Sequence, residues 1–510
     1  MGEFLPVARI TAAADHDRWL VPPCALAIHL CIGMAYGFSV FWLPLSHALD
    51  APACTSLGAA LASTACDWRV SDLVWVYSLF FVVLGLAAAL FGAWVERVGP
   101  RRAGLVATAC WAGGLALGAL GVVVHQLWLL WLGTGVIGGI GLGIGYITPV
   151  STLLKWFPDR RGLATGMAIM GFGGGAMVGS PAADALMATG ASPAATMLWM
   201  AGCHAVLMAA GALGFRLPPP GWRPPGAAQA VAGGRFVPLA LAWRTRQFWL
   251  LWCVLLMNVS ASIGIIGLAS PMVQEMFAGQ LIGAANIRFE QLDEGQKAEV
   301  ATMGAAFVGL ISLFNIAGRF FWSSLSDRIG RRALYLVMLA LAGLVYGLLL
   351  PAGPPLPLFL AGFALIASMY GGGFAAVPAW LADLFGARAV GAIHGRLLTA
   401  WSTAGILGPL LVASVRDARL AAGAARSDVY GPIFAGLAGL LLIGWLAALA
   451  VRPVPDHLWR DDPASAAAAT GPASAPRVRW PLRLASWGPL LALLGWGGWF
   501  AVRKALLLLL

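Results

Sequence analysis

With 60% hydrophobic and only 10% charged residues over 510 positions, the chain falls outside the soluble globular class, where about 25% of residues are charged. The formal charge of +11 reads as cationic loops held at one membrane face and not as a nucleic-acid surface. The 65 glycines suit a polytopic helical membrane protein, because small residues let membrane helices approach closely.

Residues 1–20 are polar and lack the apolar core of a cleaved signal peptide. The first membrane helix is therefore expected to act as an uncleaved signal. Apolar runs of spanning length fall at about 22–48, 72–95, 103–124, 127–150, 162–189 and 195–216. The Pro- and Arg-rich segment 217–246 interrupts the series. Six more runs follow at about 247–275, 300–325, 333–351, 357–384, 389–415 and 430–451. The low-complexity run at 463–476 reads as a flexible linker. A thirteenth apolar run, about 481–502, reads as spanning, with an interfacial helix as the alternative. The expected organisation is an N-terminal tail (1–21), a six-helix half (22–216), a central loop (217–246), a second six-helix half (247–452), a linker (453–480) and an extra helix (481–510).

Basic residues gather after helices 2, 4, 6 and 8: Arg97, Arg101 and Arg102; Lys155, Arg160 and Arg161; Arg216 to Arg246; Arg328, Arg331 and Arg332. The positive-inside rule then puts the N-terminus and the central loop in the cytoplasm, with the chain as a multi-pass protein of the inner membrane. Cys54 and Cys66 share the polar loop 50–71 on the opposite side. There they form either a disulfide or two free thiols. The other five cysteines lie in apolar runs and read as small packing residues. No Cys/His spacing suggests a metal, and no cofactor is implied.

The chain repeats itself. The string from Gly92 through Glu96, Arg97, Gly99, Arg101 and Arg102 returns as Ser323 through Asp327, Arg328, Gly330 and Arg332, with acid, arginine and glycine at one offset. A second echo pairs Trp156 to Arg160 with Leu384 to Arg388. This acid-Arg-x-Gly-x-Arg signature on a twelve-helix, 6+6 plan resembles the major facilitator superfamily, over about 20–455. Within it, the strings WFPDRRGLATG (156–166), RTRQFWLLW (244–252) and NIAGRFFWSSLSDRIGR (315–331) resemble the oxalate/formate antiporter family and its monocarboxylate-transporter relatives. The terminal helix resembles a small one-helix subunit found beside some members. The implied fold is all-α, twelve membrane helices as two pseudo-repeats, plus the thirteenth. A carboxylate at a helix end accepts hydrogen bonds from a neighbouring helix N-terminus and pairs with arginines. Glu96, Arg97, Arg101, Asp327, Arg328 and Arg332 are accordingly expected to form a gate between the halves.

Arg319 stands about 12 Å inside Asp327 along its helix, in hydrocarbon, with no acid between 300 and 325. A charge at that depth costs about 2.5–3.5 kcal/mol on insertion scales. A guanidinium there suits a bidentate carboxylate, and the resemblance implies the same role. Asn315 lies one turn away. Tyr36, Tyr146, Phe172, Tyr370 and Phe374 fall where the resemblance places cavity aromatics. In the oxalate antiporter a helix-11 lysine supplies a second cation; alignment through STAGILGP (402–409) puts Trp401 there. His394 and Arg396, nearer the cytoplasm, read as access-path or loop residues, and His29 as a packed histidine.

These readings converge on a monomeric, non-enzymatic secondary transporter that moves a small organic monocarboxylate (formate-, lactate- or pyruvate-like) by alternating access. Its coupling stays open between a proton and a counter-anion. An oxalate or other dicarboxylate antiporter, a drug or neutral-solute transporter, and a non-transporting sensor or scaffold are the alternatives.

Overall fold

The computed structural model describes residues 10–219, 222, 224, 235–266, 268–284, 287–461 and 478–506. Most of the 453–480 linker expected from the sequence lies outside them.

Twelve helices among the described residues are long and apolar enough to cross a membrane. They are α1 (Arg18–Ser46), α2 (Val70–Val98), α3 (Pro100–Val123), α4 (Leu127–Trp156), α5 (Arg161–Ala188), α6 (Pro193–Gly214), α7 (Arg246–Ile266), α8 (Glu294–Ile329), α9 (Arg331–Leu349), α10 (Leu356–Phe385), α11 (Val390–Ala421) and α12 (Arg426–Ala450). The interruption at 217–246 divides them six and six. Beyond α7 a further helix, Ala269–Leu281, carries the chain past the expected end of that span. The acidic stretch before α8 is partly helical: Asp293 caps it, accepting the Gln296 N–H, so α8 begins six residues before the apolar run.

Local chemistry sets the turns. Gly99 between α2 and α3 has φ +80°, and Gly330 between α8 and α9 has φ +85°. Only glycine takes that backbone without steric cost, which is why both copies of the repeat keep it. The middle of α1, Gly33–Phe41, tightens into 3₁₀ turns. Ser192 caps α6, which has Pro193 at its first position.

Within each half, α3 packs on α4 and α6, and α7 on α11 and α12, with α8 on α10. The halves meet along two seams, α5 against α8 and α2 against α11. At the end of the bundle remote from the α2–α3 and α8–α9 turns, Cys54 and Cys66 are joined by a disulfide. Glu275 there is buried and accepts from Arg416 (2.7 Å), Arg426 (3.2 Å) and the Tyr430 hydroxyl (2.5 Å), tying the end of the α7 region to α11 and α12.

The terminal run forms α13 (Trp480–Leu506), 27 residues long and so about 40 Å. It lies across the α5/α8 seam and against α1. Leu490 packs with Leu26, Ala27 and Leu30, and Ala501 with Met177 of α5 and Ile316 of α8. Arg483 donates to both oxygens of buried Asp17 at 2.5 and 2.7 Å. A two-residue strand pair, Arg235–Phe236 with Arg460–Asp461, and two isolated bridges, Thr11 with Leu217 and Ala53 with Asp67, are the β-structure among the described residues.

Candidate functional site

Arg319 is fully buried in the C-terminal half of α8. Two glycines clear its space: a Cβ on Gly173 of α5 would sit 2.9 Å from Nε, and one on Gly371 of α10 would sit 3.1 Å from Cγ. Nε donates to Asn315 Oδ1 at 3.0 Å, and Asn315 Nδ2 in turn donates to the Ala367 carbonyl of α10 at 3.2 Å. Asn315 thus fixes the plane of the guanidinium. Nη1 donates across the seam to the Ile169 carbonyl of α5 at 3.3 Å. Nη2 has no partner among the described residues, and no described carboxylate pairs with the group. The rings of Phe172 and Phe374 lie 5.8 and 5.6 Å from Cζ, within cation–π range.

Around this cation the aromatics form a cage drawn from both halves. Trp401 is its hub, with ring centres 4.5 Å from Phe374, 5.5 Å from Tyr146, 5.5 Å from Phe172, 5.2 Å from Phe81 and 6.3 Å from Tyr36. The hydroxyls of Tyr36 and Tyr370 meet at 3.2 Å across the halves. Two more buried polar atoms in the cage are without partners among the described residues: Tyr146 Oη and Trp401 Nε1. Arg319 Nη2 and Trp401 Nε1 only donate, and a tyrosine hydroxyl readily does. Such an arrangement complements an acceptor-rich anion with an apolar remainder.

All eight residues expected to line the site, Arg319, Asn315, Tyr36, Tyr146, Phe172, Tyr370, Phe374 and Trp401, come together in this one region. Sequence reasoning missed Phe81, which no motif marks. Of the two readings of His394, access path or loop, the structure removes the loop. That residue is fully buried in α11, not on a loop, with its ring 5.9 Å from Tyr146. The seven-residue spacing to Trp401, two helical turns on one face, was the available signal. His29 bridges helices: its ring nitrogens lie 2.5 Å from the Ala168 carbonyl and 3.0 Å from the Tyr146 carbonyl.

The repeated turns lie at one end of the bundle. Asp327 accepts the backbone N–H groups of Gly162 (2.8 Å) and Leu163 (2.9 Å), the first residues of α5, and so binds the N-terminus of a helix in the other half. Its arginine is Arg331 at 2.5 Å, not Arg328, which is exposed. Arg331 also reaches Asp383 of α10 at 3.1 Å, and Arg161 of α5 reaches the same carboxylate at 2.8 Å. In the first half Glu96 pairs with Lys155 at 2.6 Å, not with Arg97, which donates to the Ala93 carbonyl. Arg101 and Arg332 bond backbone carbonyls, of Phe215 and Leu449. The acids are where the repeat puts them; the bases that answer them are one helix or one turn away, because Arg97 and Arg328 follow their acids directly and so point around the helix.

The family model described as Major Facilitator Superfamily matches residues 25–285 and 295–510. The chain is 29% identical over 391 residues to apicoplast pyruvate carrier 1 of Toxoplasma gondii, covering 66% of this chain and 68% of that one. It is 26% identical over 405 residues to the oxalate:formate antiporter of Oxalobacter formigenes, covering 78% and 85%. The crystal structure of the human organic anion transporter MFSD10 superposes with a TM-score of 0.59 at 18% identity, covering 85% of this chain and 99% of that chain, which speaks to the fold alone. Twelve helices in two repeats, the twinned turns and the family match agree: the chain belongs to the Major Facilitator Superfamily and is a multi-pass membrane transporter.

Proposed function

We propose that the chain is a secondary transporter of a small organic monocarboxylate, formate-, lactate- or pyruvate-like, with Arg319 as the anion ligand. The observation that carries this reading is the fully buried guanidinium whose Nη2 has no partner, and which no carboxylate neutralises, among the described residues. A carboxylate accepts from Nη2, while Tyr146 Oη and Trp401 Nε1 are free to donate to it, and the rings of Phe172, Phe374 and Trp401 receive its carbon end. Tyr36, Tyr370 and Asn315 hold the cage closed and the cation in plane. The pyruvate and oxalate:formate relatives support the same substrate class.

The two six-helix halves, 22–216 and 247–452, rock about this site. The turn clusters face the cytoplasm, where Asp327, Arg331, Asp383 and Arg161 hold the seam shut and Glu96 with Lys155 forms its counterpart. The protein resides in the inner membrane as a monomer, its N-terminus cytoplasmic and the Cys54–Cys66 loop outside, with α13 as a further membrane helix. The oxalate:formate relative supports a second reading, a dicarboxylate exchanger. It is disfavoured by charge, since Arg319 is the one cation in the cage among the described residues.

Counterflow with mono- and dicarboxylates in proteoliposomes tests the reading. Formate, lactate or pyruvate is expected to exchange, and exchange is expected to vanish in Arg319→Ala at normal membrane abundance. Unchanged exchange in that variant removes Arg319 from the substrate path, and preference for a neutral solute removes the carboxylate reading altogether.

A further inference from the structure

From the cage toward the turn end, three buried polar groups without partners among the described residues stand in sequence on three helices: Tyr146 Oη on α4, both ring nitrogens of His394 on α11, and Glu96 Oε1 on α2. The Tyr146 and His394 rings are 5.9 Å apart. Gly391, one turn before His394, is so near Glu96 that an added side chain would strike Oε1. The other Glu96 oxygen ends on Lys155, at the partly exposed surface of the turn end. His394 itself is fully buried. His29 differs: its ring nitrogens lie against the backbone carbonyls of Ala168 and Tyr146, whereas those of His394 have no partner among the described residues.

Resting on the carboxylate reading above, we propose that His394 is a proton-binding site that couples carboxylate movement to a proton. The titratable and charged groups that bear on it are Tyr146 from α4, Glu96 from α2, His29 from α1 beyond Tyr146, and Arg319 from α8 across the cage. From α10, Tyr370 is held by Tyr36, and Asp383 is taken by Arg161 and Arg331. On its own helix Arg396 turns away, over the Trp243 ring at 5.1 Å.

The signs follow from charge. In the empty cage burial without a hydrogen-bond partner disfavours a charged His394, and the uncompensated Arg319 cation adds to that. A bound carboxylate cancels Arg319 and draws a proton onto the imidazole. By reciprocity the protonated imidazole strengthens carboxylate binding. The loaded site, guanidinium plus carboxylate plus imidazolium, carries the same charge as the empty site with neutral imidazole, so one proton and one carboxylate cross together without moving net charge. With the turn end shut, a proton reaches His394 from the cage past Tyr146. When α11 parts from α2, it leaves past Glu96. No bond other than N–H forms or breaks.

The test uses the purified full chain in liposomes holding a trapped pH-sensitive dye, with an inward pyruvate gradient and protein-free liposomes as the background for passive acid entry. Wild type is expected to acidify the lumen with one proton per pyruvate, and neither to need nor to build a membrane potential. His394→Gln is expected to lose at least tenfold of the proton signal while still exchanging labelled pyruvate in counterflow, and His394→Asn to behave alike. Wild-type pyruvate entry without protons overturns the inference while leaving the carboxylate reading intact. So does a proton signal in either variant equal to wild type. Absence of pyruvate, lactate and formate counterflow in wild type overturns the carboxylate reading itself, and coupling at His394 with it. If one variant fails to elute as a monodisperse species, the other is read.

Discussion

The two seams between the halves are related by the internal repeat, yet they are built differently. Along α5/α8 the interactions are charged and cross from half to half: Asp327 binds the α5 N-terminus, Arg161 reaches Asp383, and Arg319 donates to the Ile169 carbonyl. Along α2/α11 the acid of the repeat stays in its own half, on Lys155, and leaves Oε1 facing the first turn of α11 without a hydrogen bond among the described residues. That seam is filled by Trp401, His394 and Phe81, with Ser402 Oγ donating to the Phe81 carbonyl at 2.6 Å. One seam fixes charge and holds the halves together; the other offers apolar surface and unsatisfied donors. A repeat of sequence has thus become a division of labour.

The sharpest break comes from removing the charge on the first seam. Truncating one member of a buried hydrogen-bonded charge pair costs about 2–5 kcal/mol. Arg319→Ala is therefore expected to lower pyruvate counterflow on the order of 10²–10³-fold with normal expression. Arg319→Lys is expected to remain well below wild type, because an ammonium can keep neither the Asn315 bond in plane nor a second arm for the substrate. Full activity in Arg319→Lys would show that the fork geometry is immaterial.

Next comes the clasp. Asp327→Ala removes two helix-terminal acceptor bonds and the Arg331 ion pair, and is expected to favour opening of the turn end by about 1–2 kcal/mol. Glu96→Ala removes only a partly exposed pair within one half, whose contribution is about 0–1 kcal/mol. A cysteine replacing buried Thr165 in a background free of native thiols reports the opening. Maleimide labelling is expected to rise roughly tenfold with Asp327→Ala and less than about threefold with Glu96→Ala. Equal effects would erase the distinction between the seams.

Much of this was legible in the sequence, for reasons that differ by residue. Arg319 announces itself because a cation in an apolar run violates the solvent of its surroundings. Gly99 and Gly330 are visible because a positive φ selects for glycine. The choice of Arg331 over Arg328 was not legible. It depends on the direction α9 takes after Gly330, which periodicity along α8 does not carry. Lys155 and Asp383 answer acids or bases 59 and 52 or more residues away, and only the packed bundle brings them near. Phe81 belongs to the cage, and His394 stands beside it toward the turn end, because α2 and α11 meet there, a fact of tertiary structure.

The second seam can be made to resemble the first. Trp401→Lys puts a second cation opposite Arg319, and the oxalate-to-formate exchange ratio is expected to rise about tenfold, or about 1.4 kcal/mol. An unchanged ratio would mean that a single buried arginine suffices for both carboxylates. The aromatic hub disappears in this variant, so total flux is expected to fall while the ratio climbs.

The smallest effect is expected at α13, which lies on the charged seam and against α1. Its helix touches α5 and α8 together, so any movement that parts them must slide against Met177, Ile316 and Ala501. Its far end is pinned to α1 by Arg483 on Asp17 and by the Trp487 indole on the Trp19 carbonyl at 2.9 Å. Arg483→Ala leaves Asp17 buried without its strongest partner, and a lowered melting temperature in detergent is expected. Transport should change by less than about threefold, because the twelve-helix bundle keeps both seams, whereas removing the cation that binds the substrate costs far more. If removal of residues 463–510 instead abolishes exchange in a protein that still melts cooperatively, then α13 is part of the moving seam and not a brace upon it, and the α5/α8 side must be redrawn as a three-helix interface.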